Sequence, residues 1–281
     1  MAFMILWPRF AILSTYMRFM MKTTRILRYA FLAALGVTGV KYLLHSYGLE
    51  PVSQTSVHNS LISSATFVIG FVLSAVIADY KESERIPAEF ASTVEGIYED
   101  SKEIHKAYPA FDLVRLRDDL IVILGLFREG TRHKRRGTRR EISDLHQLFG
   151  QMEAAGVPPN FVVKLKQQQA QLLKSVYRVN YIQRIRFIPS AYVLVWCVTA
   201  LVVAVLLVTK ITPFYGGLVI SGGVSFVLVY MVMLIHHISV PFRANGDSYD
   251  DVSLFLLSET KSYLQAEARA DKKKTNKTVV T

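Results

Sequence analysis

Four stretches of the chain are apolar over roughly the 20 residues that a helix needs to cross a bilayer. They run from Ile26 to Leu44, Asn59 to Ala78, Phe187 to Val208 and Thr212 to Ile238. They fall into two close pairs. Between the pairs, residues 80–186 alternate polar and apolar positions at helical spacing. Ile86, Phe90, Val94, Ile97, Ile104 and Tyr108 form one stripe. Leu116, Leu120, Ile123, Leu124 and Phe127 form a second, and Leu165, Leu172, Val176 and Val179 a third. Pro109 and Gly156-Val157-Pro158-Pro159 mark the breaks. The apolar run 120–127 is too short to span a membrane and predicts a buried core helix. The pattern predicts an all-α membrane protein with four transmembrane helices, two plus two, flanking a helical cytosolic domain. Its segments are an N-terminal piece (1–25), the first two spans (26–79), the cytosolic domain (80–186), the last two spans (187–238) and a C-terminal tail (239–281).

Polar residues inside the spans separate them. Arg28 and Lys41 sit near the ends of the first span, where long cationic side chains are expected to snorkel to the interface. The second span carries several Ser and Thr, which a lipid-facing helix does not need. It is the span expected to line something polar. Residues 1–25 are rich in Met and aromatics, with Arg9 and Arg18 interrupting the apolar run. An interfacial helix is expected there, ahead of an organelle transit sequence, and no secretory signal.

Composition and charge add the topology. The chain has 281 residues, 51% of them hydrophobic and 20% charged, with a mean hydropathy of +0.28. The formal net charge of +11 suggests anionic partners. Lys and Arg crowd the segment before the first span and the tail, and outnumber acids 19 to 14 over 80–186. The 45–58 loop has none, and the link between the third and fourth spans is only a few residues long. Four spans therefore put every basic segment on one side, with both termini cytosolic or on the stromal or matrix side. The single cysteine, Cys197, excludes an intrachain disulfide and a cysteine metal cluster. The densest basic run, 132–140, suits a solvated loop or a surface that attracts anions or acidic lipid. No aromatics alternate with its cations and no nucleic-acid fold signature accompanies it, so no nucleic acid is expected.

Enzyme motifs are missing: there is no GxSxG, Walker loop or HExxH. His236 and His237 are adjacent and point to different helix faces, which suits the end of a span better than a metal site. Lys41 is the clearest ionisable group within the spans. The informative residues are Phe67 and Phe71, four apart and so on one face of the second span, a face that Ser63 and Ala75 extend. Several copies around an axis would stack the phenylalanines into apolar rings, which gate by dewetting. Their positive ring edges suit a weakly hydrated anion. Packing of two Phe against lipid or a neighbour is the alternative.

The order of elements and two short segments resemble the bestrophin family of anion channels. Thr66-Phe67-Val68-Ile69-Gly70-Phe71 is similar to the family's neck helix, which leaves the membrane through Ala78-Asp79-Tyr80-Lys81-Glu82-Ser83-Glu84-Arg85-Ile86-Pro87. Val240-Pro241-Phe242, with Asp250-Asp251-Val252-Ser253-Leu254 downstream, resembles the family's Pro-Phe and its acidic continuation. The resemblance implies a homopentamer around one pore, with Ser63, Phe67 and Phe71 in the neck. Ser63 departs from the bulky apolar residue usual there, which implies a wider and wetter ring. Animal members bind Ca²⁺ just after Pro-Phe. Here Asn245, Asp247, Asp250 and Asp251, with carbonyls, could supply oxygens for such an ion. A polar turn capping the next helix is the alternative, and no metal or cofactor is assigned.

The expected function is an anion-selective channel, conducting chloride or a similar small anion through a pore lined by the second span. The basic domain would concentrate the ion. The alternative is a non-conducting membrane scaffold whose helical domain binds a partner. A membrane enzyme would need convergent ionisable groups in the bilayer.

Overall fold

The structure is a computed structural model. It describes the backbone of residues 3–133, 137–184, 189–242 and 251–279, and the side chains of 25–131, 137–184, 189–242 and 251–271. The helices are α1 (Phe3–Ser46), α2 (Ser56–Ala107), α3 (Leu113–His133), α4 (Thr138–Ala154), α5 (Pro159–Arg184), α6 (Pro189–Val208), α7 (Phe214–Ile238) and α8 (Phe255–Val279). Two-residue strands β1 (Val52–Ser53) and β2 (Thr209–Lys210) pair in parallel, Val52 with Thr209 and Ser53 with Lys210. Among the described residues, four helices are long and apolar enough to cross a membrane: Arg25–Ser46, Ser56–Ala107, Pro189–Val208 and Phe214–Ile238. The protein is an all-α integral membrane protein, as the apolar pattern predicts.

The chain divides into two compact units. The first comprises Met1–Tyr80, Arg186–Val240 and Asp247–Asp251. Its core joins Ala65, Ile69, Val72 and Val76 of α2 to Val195, Val202 and Leu206 of α6 and Leu228, Val232 and Ile235 of α7. Lipid offers apolar side chains no hydrophobic gain on pairing, so close backbone approach matters more here. Glycine supplies it twice on α7. A Cβ on Gly222 would lie 2.6 Å from Oγ1 of Thr38 on α1, and one on Gly217 would lie 2.8 Å from Cβ of Ile211.

α1 and α4 end alike. After α4, the Gly156 N–H donates to the carbonyl of Glu153 (3.1 Å), and Val157 N–H to that of Met152 (3.1 Å), with Gly156 at φ +81°. After α1, Gly48 donates to His45 (3.0 Å) and Leu49 to Leu44 (2.9 Å), with Gly48 at φ +67°. Both are Schellman closures, and the left-handed residue in each is the one without a Cβ.

The second unit comprises Lys81–Ile185, Pro241–Gly246 and Val252–Thr281. The three predicted stripes are its core. Phe90, Val94 and Ile97, Leu120, Ile123 and Phe127, and Leu165 and Leu172 are buried together with Leu145, Phe149 and Leu257. Phe90 and Phe127 stack at 3.7 Å. Two glutamine amides cover helix carbonyls: Gln169 Nε2 donates to Ile142 (2.5 Å) and Gln183 Nε2 to Thr131 (2.7 Å). α8 is clamped by Lys102 to Glu267 (2.9 Å), Tyr263 Oη to Glu99 (2.5 Å) and the buried Arg117 to Asp271 (2.5 Å).

Candidate functional site

Within the first unit, α2 has two unlike sides. At 100° per residue, Ala65, Ile69, Val72 and Val76 share one side, and all four are buried. Opposite them Ser56, Ser60, Ser63, Ser64, Phe67, Phe71, Ser74 and Ala78 fall within an arc of about 100°. All eight are exposed. Phe67 is 75% and Phe71 71% exposed, left largely bare by the other described residues. The sequence expectation about this helix concerned Ser63, Phe67 and Phe71. The structure places all three on the uncovered face, and Ser60, Ser64 and Ser74 extend it. Ala75, expected on the same face, is turned aside and half-buried.

Of the four acidic-turn residues, Asn245, Asp247 and Asp250 lie outside the described residues, and Asp251 is half-buried. Among the described residues no group of three or more His, Cys, Asp or Glu is placed to hold a metal ion. His236 sits in the last turn of α7, edge-on to Tyr192 at 5.8 Å.

Lys41 does not snorkel. Its side chain is 1% exposed and ion-paired to Glu50, itself 5% exposed, at 2.5 Å. The ammonium also donates to the carbonyls of Leu207 (3.2 Å) and Thr209. His45 Nδ1 lies 2.7 Å from the other Glu50 oxygen, and its ring stacks on Phe214 at 3.7 Å. The physical reason is the turn at Gly48, which folds Glu50 back beside the helix it has just left. A partnered ammonium there has three acceptors and no need of bulk water. Burial alone would raise the Glu50 carboxyl, but hydrogen bonds from His45 and Lys41 outweigh it and hold the group below the usual glutamate range. Sequence reasoning missed this cluster. One signal was available: Glu50 is the only acid before Asp79.

The second unit carries a groove of about 790 Å³ lined by Glu82, Arg85, Glu89, Lys174, Tyr177 and Arg178, among others. Its charges are largely self-paired: Arg178 to Glu82 at 2.6 Å and Arg85 to Glu89 at 3.0 Å. Asp119 of α3 is pushed up, first by burial, then by Glu141, Asp118 and Asp144, with Arg115 opposing.

Neither a protein-family model nor a curated protein sequence matches the chain. Solved structures do. Two single-substitution variants of a bacterial bestrophin homolog from Klebsiella pneumoniae superpose with TM-scores of 0.70 and 0.71. Each is 14% identical, with 85% of this chain and 96% or 98% of the homolog covered. The fold is that of the bestrophins. A further structure of that homolog gives a TM-score of 0.68 at 12% identity, over 85% of this chain and 97% of its own. At such identities the likeness is one of bestrophin architecture, covering nearly the whole length of the homolog.

Proposed function

We propose that this bestrophin-like protein is an anion-selective channel, with chloride or a similar small anion as its ion. Several copies, five by the family resemblance, would surround one pore lined by the uncovered face of α2. The observation that carries the reading is that face: five exposed serines and two exposed phenylalanines in one stripe, opposite a wholly apolar buried side. A lipid-facing helix has no use for exposed Ser60, Ser63, Ser64 and Ser74, whereas a wet path does. Phe67 and Phe71 form the neck, presenting ring edges to a partly dehydrated anion. The +11 net charge raises the local anion concentration. The task is passage of an ion, with no covalent chemistry, and both termini face the cytosolic, stromal or matrix side.

The test is the reversal potential of the purified full chain in a planar bilayer under a chloride gradient. A value approaching the chloride equilibrium potential supports the reading. A value approaching the cation potential, or no current from folded oligomeric protein, contradicts it.

A further inference from the structure

We infer that Ser63 is a selectivity-setting residue: its hydroxyl limits the dry part of the path to the two phenylalanine rings, so the channel discriminates weakly between strongly and weakly hydrated monovalent anions. The inference rests on the pore reading above. At a rise of 1.5 Å per residue, Phe67 and Phe71 lie about 6 Å apart along the helix axis. Ser63 and Ser64 border this segment on one side and Ser74 on the other, all exposed on the same face. Had position 63 carried a large apolar side chain, three successive apolar rings would have spanned about 12 Å, with Ser64 the one hydroxyl on that face between them. An anion entering a dry ring surrenders water contacts and receives only aromatic edges in return. A hydroxyl is a donor that rotates to suit its partner, so it replaces a lost water directly.

Hydration cost separates anions. Over a long dry segment a weakly hydrated ion such as thiocyanate passes far more easily than chloride. Over a short segment flanked by hydroxyl donors the gap narrows. What matters at position 63 is therefore the donor, and the volume of the side chain matters less. Threonine and valine have nearly the same shape and differ by a hydroxyl against a methyl. Both are β-branched and place the same demands on the helix.

The experiment compares thiocyanate-to-chloride permeability ratios, from bi-ionic reversal potentials, for the reconstituted full chain, Ser63→Thr, Ser63→Val and Phe67→Ala/Phe71→Ala. The expected result is a ratio near one for the unmodified chain and for Ser63→Thr. Ser63→Val should favour thiocyanate by about fivefold more, the worth of one modest hydrogen bond. Equal ratios for the Thr and Val variants overturn the inference. So does a steep thiocyanate preference in the unmodified chain, a result that needs no variant to fold. If position 63 is silent while Phe67→Ala/Phe71→Ala alters the current, the inference falls and the pore reading stands. If the phenylalanine variant also conducts unchanged, the pore reading falls and takes the inference with it.

Discussion

The uncovered faces of α2 and α6 belong to helices of the same membrane unit and differ in chemistry. Beyond the first turn of α6, where Pro189 and Ser190 are exposed, the exposed residues are Val193, Leu194, Trp196, Cys197, Ala200, Leu201, Ala204 and Val208, with no hydroxyl among them. On α2 the exposed stripe carries five serines, with Phe67 and Phe71 set between Ser64 and Ser74. Both helices bury mainly aliphatic side chains, Val195, Val202 and Leu206 beside Thr199 on one and Ile69, Val72 and Val76 on the other. Buried residues therefore tell the two apart poorly. What each helix leaves bare carries the difference: an apolar face suits lipid tails, and a face with five serine hydroxyls suits water and ions.

The largest effect is expected where neither face is touched. Lys41→Met leaves Glu50 buried without its ammonium and should cost about 3–5 kcal/mol, read as a lower midpoint in thermal unfolding. Lys41→Met with Glu50→Gln should recover much of that loss, because no lone charge remains. The sign with pH follows from Glu50. Its carboxyl is held below its ordinary 4.5, so its contribution is complete above that value and fades as pH falls further. Melting temperature should therefore drop on acidification below about pH 4.5 in the unmodified chain, and less steeply in Lys41→Met/Glu50→Gln.

The faces themselves separate next. Phe67→Ala/Phe71→Ala should change single-channel conductance by about tenfold, as removal of a dry constriction would. Val193→Ala/Leu201→Ala should leave it unaltered. Equal effects of the two pairs on current would erase the distinction. Smaller still is a hydroxyl exchange. Ser74→Leu should lower chloride current a few-fold, whereas Val193→Ser should leave current unchanged and cost at most about 1 kcal/mol of stability. The smallest effect is expected in the second unit. The Tyr263 hydroxyl, donating to Glu99, and the Lys102 ammonium, bound to Glu267, are each pushed up to about 12. Both protonated forms hold α8, so its docking should be complete below about pH 10 and weaken from there towards 12, as hydrogen exchange of 255–271 would report.

Much of the fold was legible in the sequence, because the segregation of apolar from charged residues is itself the signal. The four spans, the three stripes of the second unit and the breaks near Pro109 and Gly156 all follow from periodicity and turn chemistry. Phe67 and Phe71 could be placed on one face from their spacing. Which side of α2 the protein covers could not be, since that depends on Val195, Leu228 and other residues more than 100 positions away. The Lys41 cluster was hidden for the same reason. The acceptors at Leu207 and Thr209 are backbone carbonyls, which no side-chain pattern announces, and the turn that delivers Glu50 depends on Gly48 alone. Position 63 was readable only as a departure from the family's usual residue. The neighbouring serines on its face give that departure physical content.

The most direct test is a cysteine scan along α2 in a Cys197→Ser background, reading block of current by a charged thiol reagent. Modification should block at positions 60, 63, 64, 67, 71 and 74, and leave current untouched at 65, 69, 72 and 76 and at 193, 194 and 201 of α6. Block that follows the uncovered stripe would place the ion path along it. Block without that periodicity, or block as strong from α6 as from α2, would contradict the assignment of this face to the pore.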